Sequence, residues 1–283
     1  MKTTMVCVVG TVLLTSLTGC LQPTPKVPST PPPTFTLTEL ITKVDSNTEN
    51  LKRFRSKGGR MTTKILTDKG LKQYDLDGVV ILYESPRNMY LSGGFLGHPA
   101  LQIGSNQEKY WLGVMHDPSQ LYWGYWKFAD SDCNEWKMGG PMKLMEAIGQ
   151  VNLRNLEGKL LGPVLRRNKD ANVLMYMAVD EAGNWYIAKE ILLSQYEPIV
   201  VNKITYYNPN SSEYLIISFF DYKQSGPGTL MARRVELNWP ADQGYMKLTM
   251  GRPKQEKSFP EAAFVMPDPG TFNDVKQVDS KCK

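Results

Sequence analysis

Only two histidines, His98 and His116, stand in the 283 residues of this chain. His116 is followed by Asp117 and would offer a metal two ligands. A zinc site takes three or four, and no second His or Cys stands at ligand spacing. A histidine at a surface turn is the plainer reading, and no metal site is expected. A Ser-His-Asp hydrolase of the α/β type needs its nucleophile on a strained G-x-S-x-G turn, which the sequence lacks. The glycines of "SGGFLGHP" do not have phosphate-loop spacing. The expectation is a protein that is not an enzyme, with no catalytic residue and no cofactor. A membrane-acting hydrolase using His116 is the weakest alternative.

The net charge of +5 is modest and mixed in sign along the chain, so no nucleic-acid partner is implied. One basic run, "LKRFRSKGGR", holds Lys52, Arg53, Arg55, Lys57 and Arg60 with no acid. It reads as the last turn of a helix ending at Gly58-Gly59, where cations suit the macrodipole and glycine suits the cap. The functional alternative is contact with anionic lipid headgroups.

The first twenty residues hold one basic residue, Lys2, then an apolar stretch from Met5 to Leu14, then Leu17-Thr18-Gly19-Cys20. That is the layout of a secretory signal, too short for a stable membrane span. The last four of these residues resemble the lipobox of bacterial lipoproteins. The resemblance implies that residues 1–19 are removed and that Cys20 carries a diacylglycerol and an amide-linked acyl chain such as palmitate. Each buried CH₂ contributes about 0.8 kcal/mol, so several chains together anchor a protein that does not span the bilayer. An ordinary signal peptide ending near a cysteine is the alternative.

Residues 20–34 are rich in proline, from Pro23 to Pro33. Such chain favours extended polyproline II at about 3.1 Å per residue, a semi-rigid tether. The implied location is a bacterial membrane surface, on the periplasmic face of the outer membrane. Cys7 leaves with the signal and Cys20 is lipidated, so Cys133 and Cys282 remain in an oxidising compartment. A disulfide between them would tie the C-terminal tail to the domain, a pairing that spacing does not decide.

These features need a fold to carry them. "TLTELITKVDSNTENLKRF" repeats Leu37, Leu40, Ile41, Val44 and Leu51 at near-helical spacing, with Thr36 or Thr38 as a cap. From Gly59 onward the period changes to two. "MTTKILT", "DGVVILYES", "NMYLSGGFLG", "EKYWLGVM" and "LYWGYWKF" read as strands, interrupted by the short helix "GPMKLMEAIGQV". Strands resume in "NVLMYMAV", "NWYIAKEILLS", "IVVNKITYYN", "EYLIISFFDYK", "TLMARRVELNW" and "YMKLTMGR". About ten strands in meander order predict a mainly β (α+β) domain over residues 35–258. Its form is a curled antiparallel sheet or half-open barrel, with an N-terminal helix and a short mid-chain lid helix. Residues 259–283 read as a polar tail lying over the surface.

This order of parts resembles the LolA/LolB-like fold of bacterial lipoprotein carriers. The segments that carry it are "YDLDGVVILYESPRNMYLSGGFLGHPALQIGSNQEKYWLGV" and "GPMKLMEAIGQVNL". The resemblance rests on pattern across residues 35 to 255. It implies an apolar hollow between sheet and helices that takes an acyl chain, a lipid or a lipidated client.

Candidates to line that hollow are Val79, Ile81 and Tyr83, which share one face of their strand. Tyr122, Trp123 and Trp126 of the aromatic run, with Met142, Met145, Met175 and Met177, complete the set. The plainer reading of the aromatic run is a strand between two cores, and that of the methionines is gap filling. The functional expectation is a membrane-anchored lipoprotein binding an acyl chain, lipid or lipidated client in a pre-formed apolar cavity. The alternative is a cell-envelope scaffold with a filled core and no ligand.

Overall fold

The computed structural model describes residues 33–67, 70–115, 118–129, 131, 133–135, 140–154 and 160–282. The export signal, Cys20, nearly all of the tether, and His116 with Asp117 lie outside the described residues. No helix among the described residues is long and apolar enough to cross a membrane.

Helix α1 (Leu37–Glu49) begins at a capping box. The Glu39 amide donates to Thr36 Oγ1 at 3.3 Å, and the Thr36 amide donates to Glu39 Oε2 at 2.7 Å, so two amides that the helix leaves open are satisfied together. Leu40 and Val44, one turn apart, are buried, which fixes the face that α1 turns to the sheet.

Six strands follow: β1 (Arg53–Thr67), β2 (Gly70–Glu84), β3 (Asn88–Phe95), β4 (His98–Ser105), β5 (Lys109–Val114) and β6 (Gln120–Tyr125). Helix α2 (Pro141–Ala147) separates them from a second run. That run comprises β7 (Leu161–Arg167), β8 (Asn172–Val179), β9 (Trp185–Leu193), β10 (Val201–Tyr207), β11 (Glu213–Gly226), β12 (Thr229–Trp239) and β13 (Gly244–Thr249). Two short strands, β14 (Lys254–Gln255) and β15 (Asp274–Gln277), complete one open sheet.

Each run is an antiparallel meander, but the two join through β1 and β13, with Met61 opposite Leu248. The order therefore places β6 and β7 at opposite ends. The chain between them has to cross the sheet, and α2 makes the crossing over the inner face. Its Leu144, Met145 and Ala147, followed by Ile148, share one core with Leu40 and Val44 of α1 and with Ile81, Ile191, Ile217 and Leu237 of the strands. The parts come in the order the resemblance implies: helix, curled mainly antiparallel sheet, short mid-chain helix.

The structure corrects four expectations. The basic run "LKRFRSKGGR" is not a helix end: α1 stops at Glu49 and Arg53 opens β1. Alternation decides this, because Phe54 and Ser56 are buried while Arg53 and Arg55 face outward and pair with Glu84 and Glu256. Gly58 and Gly59 form an irregularity in the β1–β2 register, where Gly58 has φ +74°.

Two full strands, β4 and β7, come from segments not recognised as strands, because Pro99 and Gly162-Pro163 near their starts look like turn chemistry. Trp126–Phe128 leave the sheet as a 3-10 turn and do not continue β6. The tail also does more than lie on the surface. Its β15 adds a parallel strand to β6, with Val275 opposite Leu121, and its Phe272, Val278 and Asp279 are buried.

The Gly58-Gly59 irregularity is locked by Gly251. A Cβ on Gly251 would lie 1.7 Å from the Lys57 carbonyl oxygen, a backbone atom with no rotamer to escape into. Gly251→Ala is therefore expected to lower stability by about 2 kcal/mol or more, read as a drop in urea midpoint at unchanged slope.

The tail is fastened in three ways. Cys133 and Cys282 form a disulfide with Cα atoms 5.4 Å apart. The Tyr125 amide donates to Asp279 Oδ2 at 2.6 Å, and the Val278 amide to the Trp123 carbonyl at 2.8 Å. Glu135 accepts from Lys276 and Lys281, each at 2.6 Å, and these bonds pull its carboxyl down to about 2.

A carboxyl lowered by folding holds the tail fully above its unfolded value and lets go as pH falls towards the folded one. Amide protection at Val278 and Cys282, corrected for intrinsic exchange, should thus decline between about pH 5 and about pH 2. Glu135→Gln should flatten that profile.

Candidate functional site

Among the described residues, the inner face of the sheet gathers a continuous apolar surface under helices. Val79, Ile81 and Tyr83 all point into it from β2 and are buried. Burial pushes the Tyr83 hydroxyl up to about 12. Met145 of α2 is buried there, and Met142 packs against the same core from a half-buried position. Tyr122 is also half-buried against it. Trp126 closes the end near β6, with Nε1 donating to the Asn106 carbonyl at 2.7 Å and the Arg87 guanidinium 5.1 Å from its ring centre.

Three of the expected lining residues lie elsewhere. Trp123 is on the outer face, against the small cluster of Trp111, Leu121 and Phe272. Met175 and Met177 also point outward, because their neighbours Leu174 and Tyr176 take the inward positions on β8. Successive residues of a strand must face opposite sides, so one strand does not offer both pairs to the hollow.

The hollow itself is filled by the protein. Side chains from α1 and α2 occupy the inner face, leaving a void of about 30 Å³ where α1, the end of α2 and strands β10–β12 meet. Val44, Leu51, Ile148, Phe219 and Met231 line it. A second void of about 10 Å³ lies under α2 against β3, β4, β12 and β13. A dry apolar cavity that binds benzene measures about 150 Å³. Among the described residues, neither void beneath the helices is the pre-formed cavity expected from the sequence.

Among the apolar contacts, α2 is held by a polar cluster that the sequence reading missed. Glu146, on α2, accepts from Lys189 Nζ of β9 and from the Tyr206 hydroxyl of β10, and Glu146 and Lys189 are both buried. Lys189 Nζ lies 5.1 Å from the Tyr206 ring centre and 5.8 Å from that of Tyr176, which adds cation–π attraction. The Tyr176 hydroxyl donates to the Leu153 carbonyl at 2.7 Å, fastening the chain that leaves α2. Burial, with the charges of Glu146 and Asp45, pushes the Tyr176 hydroxyl well above its ordinary value.

A signal for this cluster did exist. Lys189 falls in phase with Ile191 and Leu193, both buried, so the period-two pattern of β9 places a cation on the inner face. Glu146 is the one acid in the helix "PMKLMEA".

Helix α1 is tied down as well. The Asn47 side chain donates to the Leu230 carbonyl at 2.8 Å and accepts from the Leu230 amide at 2.6 Å, copying a strand partner. Away from the hollow, the β3–β4 turn exposes Phe95 by 57% and Leu96 by 88%, with Leu96 at φ +49°. Among the described residues no group of three His, Cys, Asp or Glu is arranged to hold a metal ion.

No family model matches the chain, and neither does any curated protein. Solved structures that it resembles include one described as an outer membrane lipoprotein-sorting protein domain from Vibrio parahaemolyticus. The TM-score is 0.49 at 12% identity, over 80% of this chain and 94% of that one. Another is a LolA superfamily protein from Nitrosomonas europaea, with TM-score 0.48 and 13% identity over 82% of this chain and 99% of that one. A third is a DUF1329 family protein from Desulfovibrio piger, with TM-score 0.48 and 9% identity over 80% and 94%. At these identities the likeness is one of chain course alone.

Proposed function

We propose that this protein is a non-enzymatic, exported lipoprotein that takes an acyl chain, a lipid or a lipidated client between its inner sheet face and its two helices. The observation that supports this is the cover over that face. An apolar inner sheet face is closed by two short helices and not by a second sheet, and one of them, α2, is fastened by the Glu146–Lys189–Tyr206 cluster. Short helices shift more easily than a paired sheet, because their removal breaks no inter-strand ladder.

The closed conformation is then the unloaded one, and an acyl chain enters by lifting α2 and widening the void beside α1. Transfer of its apolar area from water, at about 25 cal/mol per Å², drives the exchange. Exposed Phe95 and Leu96 suit contact with a lipid surface, where apolar side chains at a turn leave water. The lipobox-like residues ending at Cys20 would hold the domain at the membrane.

Native mass spectrometry of Cys20→Ala protein purified without detergent tests the proposal. Bound lipid that leaves on collisional activation is the expected result. A clean unliganded mass, repeated after incubation with phospholipid, overturns it. The second reading, an envelope scaffold with no ligand, is favoured by one observation, the 30 Å³ void, and gains from that outcome.

A further inference from the structure

The basic run that opens β1 does not stand alone. Pairing with β14 lays residues 251–257 alongside residues 53–57, with Lys254 opposite Arg55 and Gln255 opposite Phe54. Phe54 is buried and Gln255 donates from Nε2 to the Asn50 carbonyl at 2.9 Å, so the alternate positions Arg53, Arg55, Lys57 and Lys254 face outward. Arg233 Nε donates to the Met250 carbonyl at 2.9 Å and steadies the start of the second segment. Lys52, Lys57, Arg252, Lys254 and Lys257 are exposed, and among the described residues none of them has a carboxylate partner.

The local acids do not cancel this charge. Glu84 and Glu256 are taken up by Arg53 and Arg55, and Glu49 at the end of α1 is one acid against those five cations. Beyond the Gly58-Gly59 irregularity the balance returns, since Arg60 pairs with Asp77 at 3.2 Å. Two paired strands about 4.8 Å apart, rising about 3.3 Å per residue, make a ribbon on the order of 20 Å long and 10 Å wide. Such a strip meets several phosphates of a surface at once. Phe54, the one aromatic ring in the two segments, is buried, so the ribbon offers no ring for a base to stack on.

The ribbon also begins at the void beside α1. Leu51 and Met250 line that void and stand one and two positions from Lys52 and Arg252. We propose that the ribbon docks on anionic phospholipid headgroups and so sets the rim of the void beside the bilayer. The choice of a bilayer over a soluble polyanion rests on the exported, anchored reading above. Each Lys or Arg near an anionic surface is worth about fivefold in partitioning, enough in number here to orient a domain that an anchor already holds nearby.

Co-sedimentation of the Cys20→Ala chain with vesicles of about one part phosphatidylglycerol to three of phosphatidylcholine tests this. The expected result is binding that is lost on phosphatidylcholine alone and declines as salt shortens the Debye length. Lys57→Gln with Lys254→Gln should weaken it by about twenty-five-fold, whereas Lys72→Gln with Lys169→Gln, the same change in net charge elsewhere, should leave it within about twofold. All four side chains are exposed, so the urea midpoint should hold. With a nitroxide on the lipid headgroup, amide broadening should be strongest over residues 51–57 and 250–257.

Equal loss in the two double variants overturns the proposal, as does equal binding to both kinds of vesicle, or broadening centred on Phe95 and Leu96. Tighter binding to heparin than to vesicles also overturns it, and gives the ribbon to a soluble polyanion. Ribbon-dependent binding by a chain that carries no lipid upholds this proposal while the carrier reading falls.

Discussion

Glu146→Ala is expected to cost about 3–5 kcal/mol of folding stability, because it leaves the Lys189 ammonium buried without its carboxylate. The Tyr206 hydroxyl loses its acceptor in the same change. Urea denaturation followed by circular dichroism reads the loss. Removing both charges together should be far milder. Glu146→Leu with Lys189→Met is expected near neutral, since a buried ion pair stabilises little against apolar side chains of similar size. The double-mutant cycle gives the coupling directly. A Glu146→Ala loss below about 1 kcal/mol would mean that water reaches the pair and that α2 is held by apolar packing alone.

The same substitution separates a latch from a mere brace. If α2 lifts to admit an acyl chain, Glu146→Gln should speed amide exchange in α2 and raise lipid uptake while stability falls. The two quantities move in opposite directions because the variant weakens only the closed state. A fall in both would assign the cluster to the fold and not to loading.

The second large effect is at the tail. Replacing Cys133 and Cys282 by serine opens a closure of 149 residues. The chain-entropy account puts that at about 5 kcal/mol, and 2–4 is the usual outcome. Here the lower part of the range is expected, because Asp279, Val278 and the β15 pairing still hold the tail when the covalent tie is gone. The loss should appear together with faster amide exchange over residues 272–282. Full stability in the double serine variant would show that the non-covalent contacts suffice by themselves.

Much of the fold was legible because period and capping are local. The buried face of α1, the inward row of Val79, Ile81 and Tyr83, and most strand positions follow from spacing alone, while the cap, open between Thr36 and Thr38 in the sequence, falls to Thr36 in the structure. Strands that open on proline were not legible, since Pro99 and Pro163 carry the same local signal as a turn, and only their pairing partners reveal them. The basic run was misread for the same reason. Cations before Gly-Gly suit a helix end, and the choice fell to β1 because Phe54 and Ser56 alternate into the core.

The sequence by itself determined that this chain forms a curled, mainly antiparallel sheet with a helix before it and a short one within it. Hydrophobic period is written residue by residue and needs no partner to be read. Only the tertiary structure decided which strands stand at the ends of the sheet, and so that α2 must cross the inner face. It also decided how small the voids among the described residues are, since volume left between packed side chains depends on how three elements meet and on no single segment. The meeting of Glu146, Lys189 and Tyr206, separated by up to 60 positions, is of the same kind.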